Sequence, residues 1–154
     1  MSIAMRLIPL IALAAVLAGC ATIGGATYGR IPEIREASVT PAELQVGQDG
    51  VITVRIQDYH GIVDRVDGVV REDPRLTLAL EKVEDAPTSV WRLDVEVPPD
   101  APPGDFEIEF TAYDARGEVI LVPHEDGHDT PLRATTHMRV VYPDDEDWEA
   151  PADN

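Results

Sequence analysis

At 154 residues the chain is long enough for one domain with a single core. Its 29 acidic residues against 12 basic ones give a formal charge of −17, a field that repels nucleic acid and anionic headgroups. With one Cys no intramolecular disulfide is available, so the domain holds together by packing alone.

Residues 1–6 carry one positive charge, residues 7–16 are uncharged and rich in Leu, Ile and Ala, and small residues precede Cys20. That order predicts a signal peptide over residues 1–19. A membrane-spanning helix needs about 20 apolar residues, and residues 7–19 are too few. Leu17-Ala18-Gly19-Cys20 resembles the lipobox of bacterial lipoproteins, in which Leu precedes two small residues and an obligatory Cys. The resemblance implies that the Cys20 thiol receives a diacylglyceryl group, that the chain is cut before Cys20, and that the new amine is acylated. Two or more acyl chains anchor durably where one anchors weakly. An ordinary secretory signal that contains a Cys is the alternative. Ala21 follows Cys20, and in the sorting pattern of such lipoproteins a residue other than Asp there implies the outer membrane, facing the periplasm.

Residues 20–36 hold the lipidated terminus and a stretch with Gly24-Gly25, Gly29 and Pro32, which predicts a flexible tether. From 37 to 142 the dominant pattern is alternation with period two, the mark of strands with one buried face. Ile52, Val54 and Ile56 form one apolar set and Leu76, Leu78 and Leu80 a second. Trp91, Leu93, Val95 and Val97 form a third, and Phe106, Ile108, Phe110 and Ala112 a fourth. Shorter strands are expected at 36–40, 62–66, 118–122 and 135–142, with turns at Gln48-Asp49-Gly50, residues 98–104 and residues 114–117. No helical stripe is present outside the signal peptide. Residues 143–154 include six acidic residues and no basic one, which predicts a disordered acidic tail. Trp148 stands out there as a candidate docking residue.

Seven or eight short antiparallel strands imply a two-sheet sandwich or a barrel. The run Pro98-Pro99-Asp100-Ala101-Pro102-Pro103-Gly104-Asp105, then Phe106, Ile108, Phe110, Ala112 and Asp114-Ala115-Arg116-Gly117, favours the sandwich. It resembles the E-to-F corner and F–G hairpin of bacterial immunoglobulin-like domains. The resemblance implies an immunoglobulin-like β-sandwich and export; fold analogy does not carry a function. In the family the last strand follows the hairpin directly, whereas here residues 123–134 intervene before a strand resumes at Thr135. This polar insertion is either a tolerated loop or the place where function was added.

The insertion holds His124-Glu125-Asp126-Gly127-His128-Asp129, the only imidazole-containing cluster of metal-ligand types. Two His separated by three residues chelate zinc on a helix, but Gly127, Pro123 and Pro131 argue for a loop, where spacing fixes no geometry. The Asp-x-Asp-x-Asp-Gly ladder of calcium loops is missing here and at residues 64–73. His60 and His137 are isolated from the cluster. No nucleophile elbow or phosphate-binding glycine loop is present, so no catalytic residue, cofactor or metal ligand is assigned. The expectation is a non-enzymatic interaction or spacer module, attached to the membrane through lipid on Cys20. It meets an envelope protein partner, and no nucleic acid, through an edge strand or the 123–134 loop. The alternative is an accessory or ligand-binding lipoprotein of a secretion, transport or envelope-maintenance system, possibly metal-dependent.

Overall fold

The computed structural model describes residues 31–85 and 87–143. Cys20, the signal peptide, tether residues 21–30 and tail residues 144–154 with Trp148 lie outside them.

Eleven strands occur among the described residues: β1 (Glu33–Thr40), β2 (Glu43–Gln45), β3 (Asp49–Gln57), β4 (Arg65–Val70), β5 (Asp73–Ala79), β6 (Glu81–Glu84), β7 (Thr88–Glu96), β8 (Gly104–Tyr113), β9 (Leu121–Pro123), β10 (Asp129–Pro131) and β11 (Arg133–Val141). One sheet has the order β1-β3-β7-β6 and the other β2-β11-β8-β4-β5, while β9 and β10 pair only with each other. Read as A-B-E-D facing A′-G-F-C-C′, this is the strand order of an immunoglobulin-type β-sandwich. All pairings are antiparallel except that of β2 with β11.

The two sheets meet through the alternating residues. Ile52, Val54 and Ile56 of β3 and Trp91 of β7 are buried against Ile108, Phe110 and Ala112 of β8 and Val66 and Val70 of β4. Polar atoms inside the core have partners: the Trp91 indole N–H donates to Ser89 Oγ at 3.0 Å, and Ser89 Oγ donates to the Ile56 carbonyl at 3.4 Å. The outer faces carry a lattice of exposed ion pairs such as Arg133–Glu109 and Arg55–Glu36. Such pairs add about 0–1 kcal/mol each.

Several elements differ from the sequence expectation. β1 starts at Glu33, inside the stretch read as tether, and β4 covers Arg65–Val70 rather than 62–66. Gly68 lies within β4 because the buried Phe110 ring fills the space a side chain would need; a Cβ there would stand 2.8 Å from Phe110 Cε1. Asp49-Gly50 opens β3 instead of forming a turn, since Leu44 Cδ1 would lie 2.8 Å from a Cβ at Gly50. The chain turns earlier, at Val46-Gly47, where Gly47 takes φ +77°, a left-handed value that disfavours a side chain.

The loop between β3 and β4 is folded around one buried carboxylate. Asp58 Oδ1 accepts the Ile62 N–H at 3.0 Å and Oδ2 the Val63 N–H at 2.8 Å. Lys82, the chain's only lysine, donates from Nζ to the Val63 carbonyl at 3.1 Å and lies 4.9 Å from the centroid of the Trp91 ring.

Candidate functional site

The insertion after β8 is a built element rather than an open loop. At the end of β8, Asp114 forms a tight turn. Its Oδ1 accepts the N–H groups of Glu118 and Arg116, each at 2.9 Å, and its Oδ2 accepts the Arg116 guanidinium from Nε at 3.0 Å and Nη2 at 2.9 Å. The Glu118 N–H does most to lower the Asp114 carboxyl; desolvation, next in size, opposes it, and the several Arg116 contacts together keep the group below its ordinary value. The chain then returns alongside β8. The Ile120 N–H donates to the Ala112 carbonyl at 3.0 Å, the Leu132 N–H to the Ile120 carbonyl at 2.7 Å, and the Ala112 N–H to the Leu132 carbonyl at 3.1 Å. Ile120 and Leu132 are buried, so the root of the insertion belongs to the core.

Beyond that root the hairpin leaves the sandwich. Pro123 pairs with Asp129 and Leu121 with Pro131, and residues 124–128 close the tip. There the His124 N–H donates to the His128 carbonyl at 2.9 Å, the Gly127 N–H donates to the His124 carbonyl at 3.0 Å, and Gly127 adopts φ +82°. Every residue from 123 to 130 is exposed, and Leu121 is 52% exposed. His124 Nε2 lies 2.7 Å from Thr130 Oγ1, and the His128 N–H donates to Asp126 Oδ1 at 3.1 Å. The His124 ring and the Asp126 carboxylate are thus engaged in shaping the turn, and His128 takes part through its backbone. Among the described residues no three His, Cys, Asp or Glu side chains converge on a point where a metal ion could sit. That statement covers His60, His137 and residues 64–73 as well.

A second concave feature had no counterpart in the sequence reading. β6 pairs with β7 only between Val90 and Arg92, so from Leu93 onward β7 is a free sheet edge. It faces β5, the edge of the other sheet. Between these edges the sandwich stays open as a cleft of about 540 Å³. Leu78, Val95, Phe106 and Met138, all on the core side of their strands, are only partly buried there, and Leu76 is 50% exposed. The set Leu76, Leu78 and Leu80 therefore departs from its expected burial: Leu80 alone is buried, and Leu76 lines the cleft. Glu72, Asp73, Glu96 and Asp100 also line it, with no basic residue among them.

No protein-family model matches the chain, and no curated protein matches it. Solved structures do. The alkylpurine DNA glycosylase AlkC of Pseudomonas fluorescens, bound to DNA containing an abasic site analog, matches with 12% identity and TM-score 0.44 over 71% of this chain. The match covers 30% of that protein, so the chain spans under a third of its length. A Niemann-Pick type C2 protein from the Japanese carpenter ant matches with 8% identity and TM-score 0.46, covering 72% of this chain and 93% of that one. The CARDB domain of the PF1109 protein from Pyrococcus furiosus, in complex with di-metal ions, matches with 18% identity and TM-score 0.43, covering 73% of this chain and 93% of that one. The immunoglobulin-type assignment stands on strand order, independently of these distant likenesses.

Proposed function

We propose that the chain is a non-enzymatic, lipid-anchored protein of a bacterial cell envelope that binds a protein partner through the β9–β10 hairpin. The observation that carries the binding role is the construction of that hairpin. Its root is pinned in the core by Ile120 and Leu132, while residues 123–130 contribute no buried side chain to the sandwich. An ordered projection with little role in the core has the character of a recognition element.

The anchor rests on the sequence: a charged start, an apolar run too short to span, and Leu17-Ala18-Gly19-Cys20. Strand register adds an orientation to it. Glu33 pairs with Gln57 at the end of β3, from which the 58–64 loop leads to Arg65, and Arg65 pairs with Tyr113 just before the hairpin insertion. The chain therefore enters the sandwich at the hairpin end. From Cys20 to Glu33 it reaches at most ~45 Å. On this reading the hairpin works close to the bilayer, in the outer membrane facing the periplasm, on a neighbouring envelope protein. A role as a ligand-binding accessory lipoprotein is the second reading, favoured by the cleft between β5 and β7.

Two experiments test the proposal. Cys20→Ser should yield an uncleaved or soluble exported chain; normal cleavage and membrane fractionation would refute the anchor. Replacing residues 121–131 by a short Gly-containing turn should leave the melting temperature nearly unchanged and abolish recovery of the wild-type partner from envelope extracts. Unchanged recovery would move the binding surface to an edge strand or the acidic tail.

A further inference from the structure

We propose that the cleft between β5 and β7 is a binding site for a small cationic amphiphile, an apolar body ending in an ammonium or guanidinium group. This goes beyond the hairpin reading and does not depend on Cys20. The cleft lies at the other end of β8: it is lined by Phe106 near the start of that strand, and the hairpin follows Tyr113 at its end.

Its origin is the shortness of β6. In a closed sandwich a longer fourth strand would cover β7 from Leu93 to Glu96, and the apolar side chains of both sheets would meet. Here Val95, Leu78, Phe106 and Met138 point toward the interior and yet keep solvent contact, above a floor that includes the fully buried Ile52 and Ile108. Partly hydrated apolar surface in a recess gains from any apolar occupant. At about 540 Å³ the recess falls within the ~300–1,000 Å³ of small-molecule sites.

The rim decides the charge of the occupant. Glu72 is held in place by accepting the Glu107 N–H at 3.1 Å, and Asp73 pairs with the exposed Arg75 at 3.3 Å. Asp100 lines the mouth of the cleft, and Glu96 stands at its outer lip, one residue beyond the inward-turned Val95; neither forms an ion pair with a described residue. An anionic amphiphile meets repulsion at this rim, and a cationic head meets attraction strengthened by the apolar wall beside it. The same charges disfavour two other occupants. The tail around Trp148 brings Asp144, Asp145, Glu146, Asp147 and Glu149, and a second copy of this chain brings an identical acidic rim.

The test uses residues 21–154, which keep the entire sandwich, titrated below micelle formation with dodecyltrimethylammonium, dodecyl sulfate and dodecyl maltoside. Calorimetry gives affinities, and methyl resonances locate the bound molecule. Dodecyltrimethylammonium should perturb Leu76, Leu78, Val95 and Met138, and its affinity should fall roughly fourfold for each methylene removed. Dodecyl sulfate should bind at least roughly tenfold more weakly. The surface double variant Glu96→Gln/Asp100→Asn should weaken the cation roughly tenfold and leave the maltoside unchanged. Met138→Trp, which fills the recess, should abolish all binding; should it fail to fold, the rim variant still decides. Equal affinity for cation and anion, or methyl shifts confined to other regions, overturns the proposal. So does a tighter cation affinity after removal of residues 144–154, which would mark the tail as the occupant. A dimer dissociated by Leu76→Asp would mark a second copy instead and overturn it equally.

Discussion

Asp58→Asn is the most informative single substitution for the stability of the hairpin end. The carboxylate is 2% exposed, and its two oxygens each accept one backbone N–H, from Ile62 at 3.0 Å and Val63 at 2.8 Å. Asparagine keeps the shape and one acceptor, but whichever way the amide turns, its NH₂ faces one of those donors. One hydrogen bond to a charged group, worth about 1.5–3 kcal/mol, is lost and leaves a buried donor unsatisfied, while the other falls to the neutral range of about 0.5–1.5 kcal/mol. Relief from burying a charge offsets part of this, leaving a net loss of about 2 kcal/mol. For a domain of this size that lowers the melting temperature by about 8 °C or more. Thermal melts followed by far-ultraviolet dichroism measure the shift, and amide exchange at Ile62 and Val63 should accelerate in the variant. A melting temperature within about 2 °C of wild type would refute the reasoning, because it would mean that water or a loop shift satisfies both amides at no cost.

Gly68→Ala should destabilise despite the stiffer unfolded chain, since overpacking against Phe110 costs about 1–3 kcal/mol and the entropic gain is about 0.4–1 kcal/mol; urea titration gives the sign. Lys82→Met keeps the stem over Trp91 but loses the cation–π contact and the bond to the Val63 carbonyl, and should lower stability by about 1–2 kcal/mol in the same assay. The carboxyl of Asp114 is depressed in the folded protein, so its contribution is complete above the ordinary Asp value near 3.9 and is lost as pH falls through the lower folded value. The gap in melting temperature between wild type and Asp114→Asn should therefore hold steady at pH 6 and close on acidification below about pH 4.

Much of the sandwich was legible because alternation is a local pattern. Ile52, Val54 and Ile56, and Ile108, Phe110 and Ala112, sit buried where period two puts them. The proline-rich 98–103 link leads into β8 as the resemblance implied. What escaped depends on distant contacts. Gln48-Asp49-Gly50 reads as a turn, because glycine beside aspartate is turn chemistry, and Gly68 has no side chain to mark a face of β4. Only the positions of Phe110 and Leu44 make those glycines strand residues. β6 is exposed at every position and β2 has three residues, so neither carries an alternation to read. The hairpin was legible as an interruption, but not as two paired strands, since Pro123 and Pro131 lie within them. The cleft was illegible for a deeper reason: Leu76, Leu78 and Val95 have the pattern of core residues, and what leaves them uncovered is the early end of β6 on another part of the chain.

That early end also sets how the two candidate surfaces relate. The hairpin and the chain entry at Glu33 share one end of the sandwich, and the cleft with the exit after Val141 shares the other. A chain anchored at Cys20 would be joined to its anchor at the hairpin end, with the cleft at the end remote from that attachment. The negative charge then acts differently at the two ends. Were the hairpin held near a bilayer, as proposed, that charge would disfavour contact of the exposed Leu121 with anionic headgroups and leave it open to a protein. At the far end the rim carboxylates favour cations arriving from solution. A partner on the hairpin and an amphiphile in the cleft would not compete for space, because the ten residues of β8 separate them by roughly 30 Å. Coupling between them would have to pass through the packed core around Phe110, which touches the strands leading to both ends.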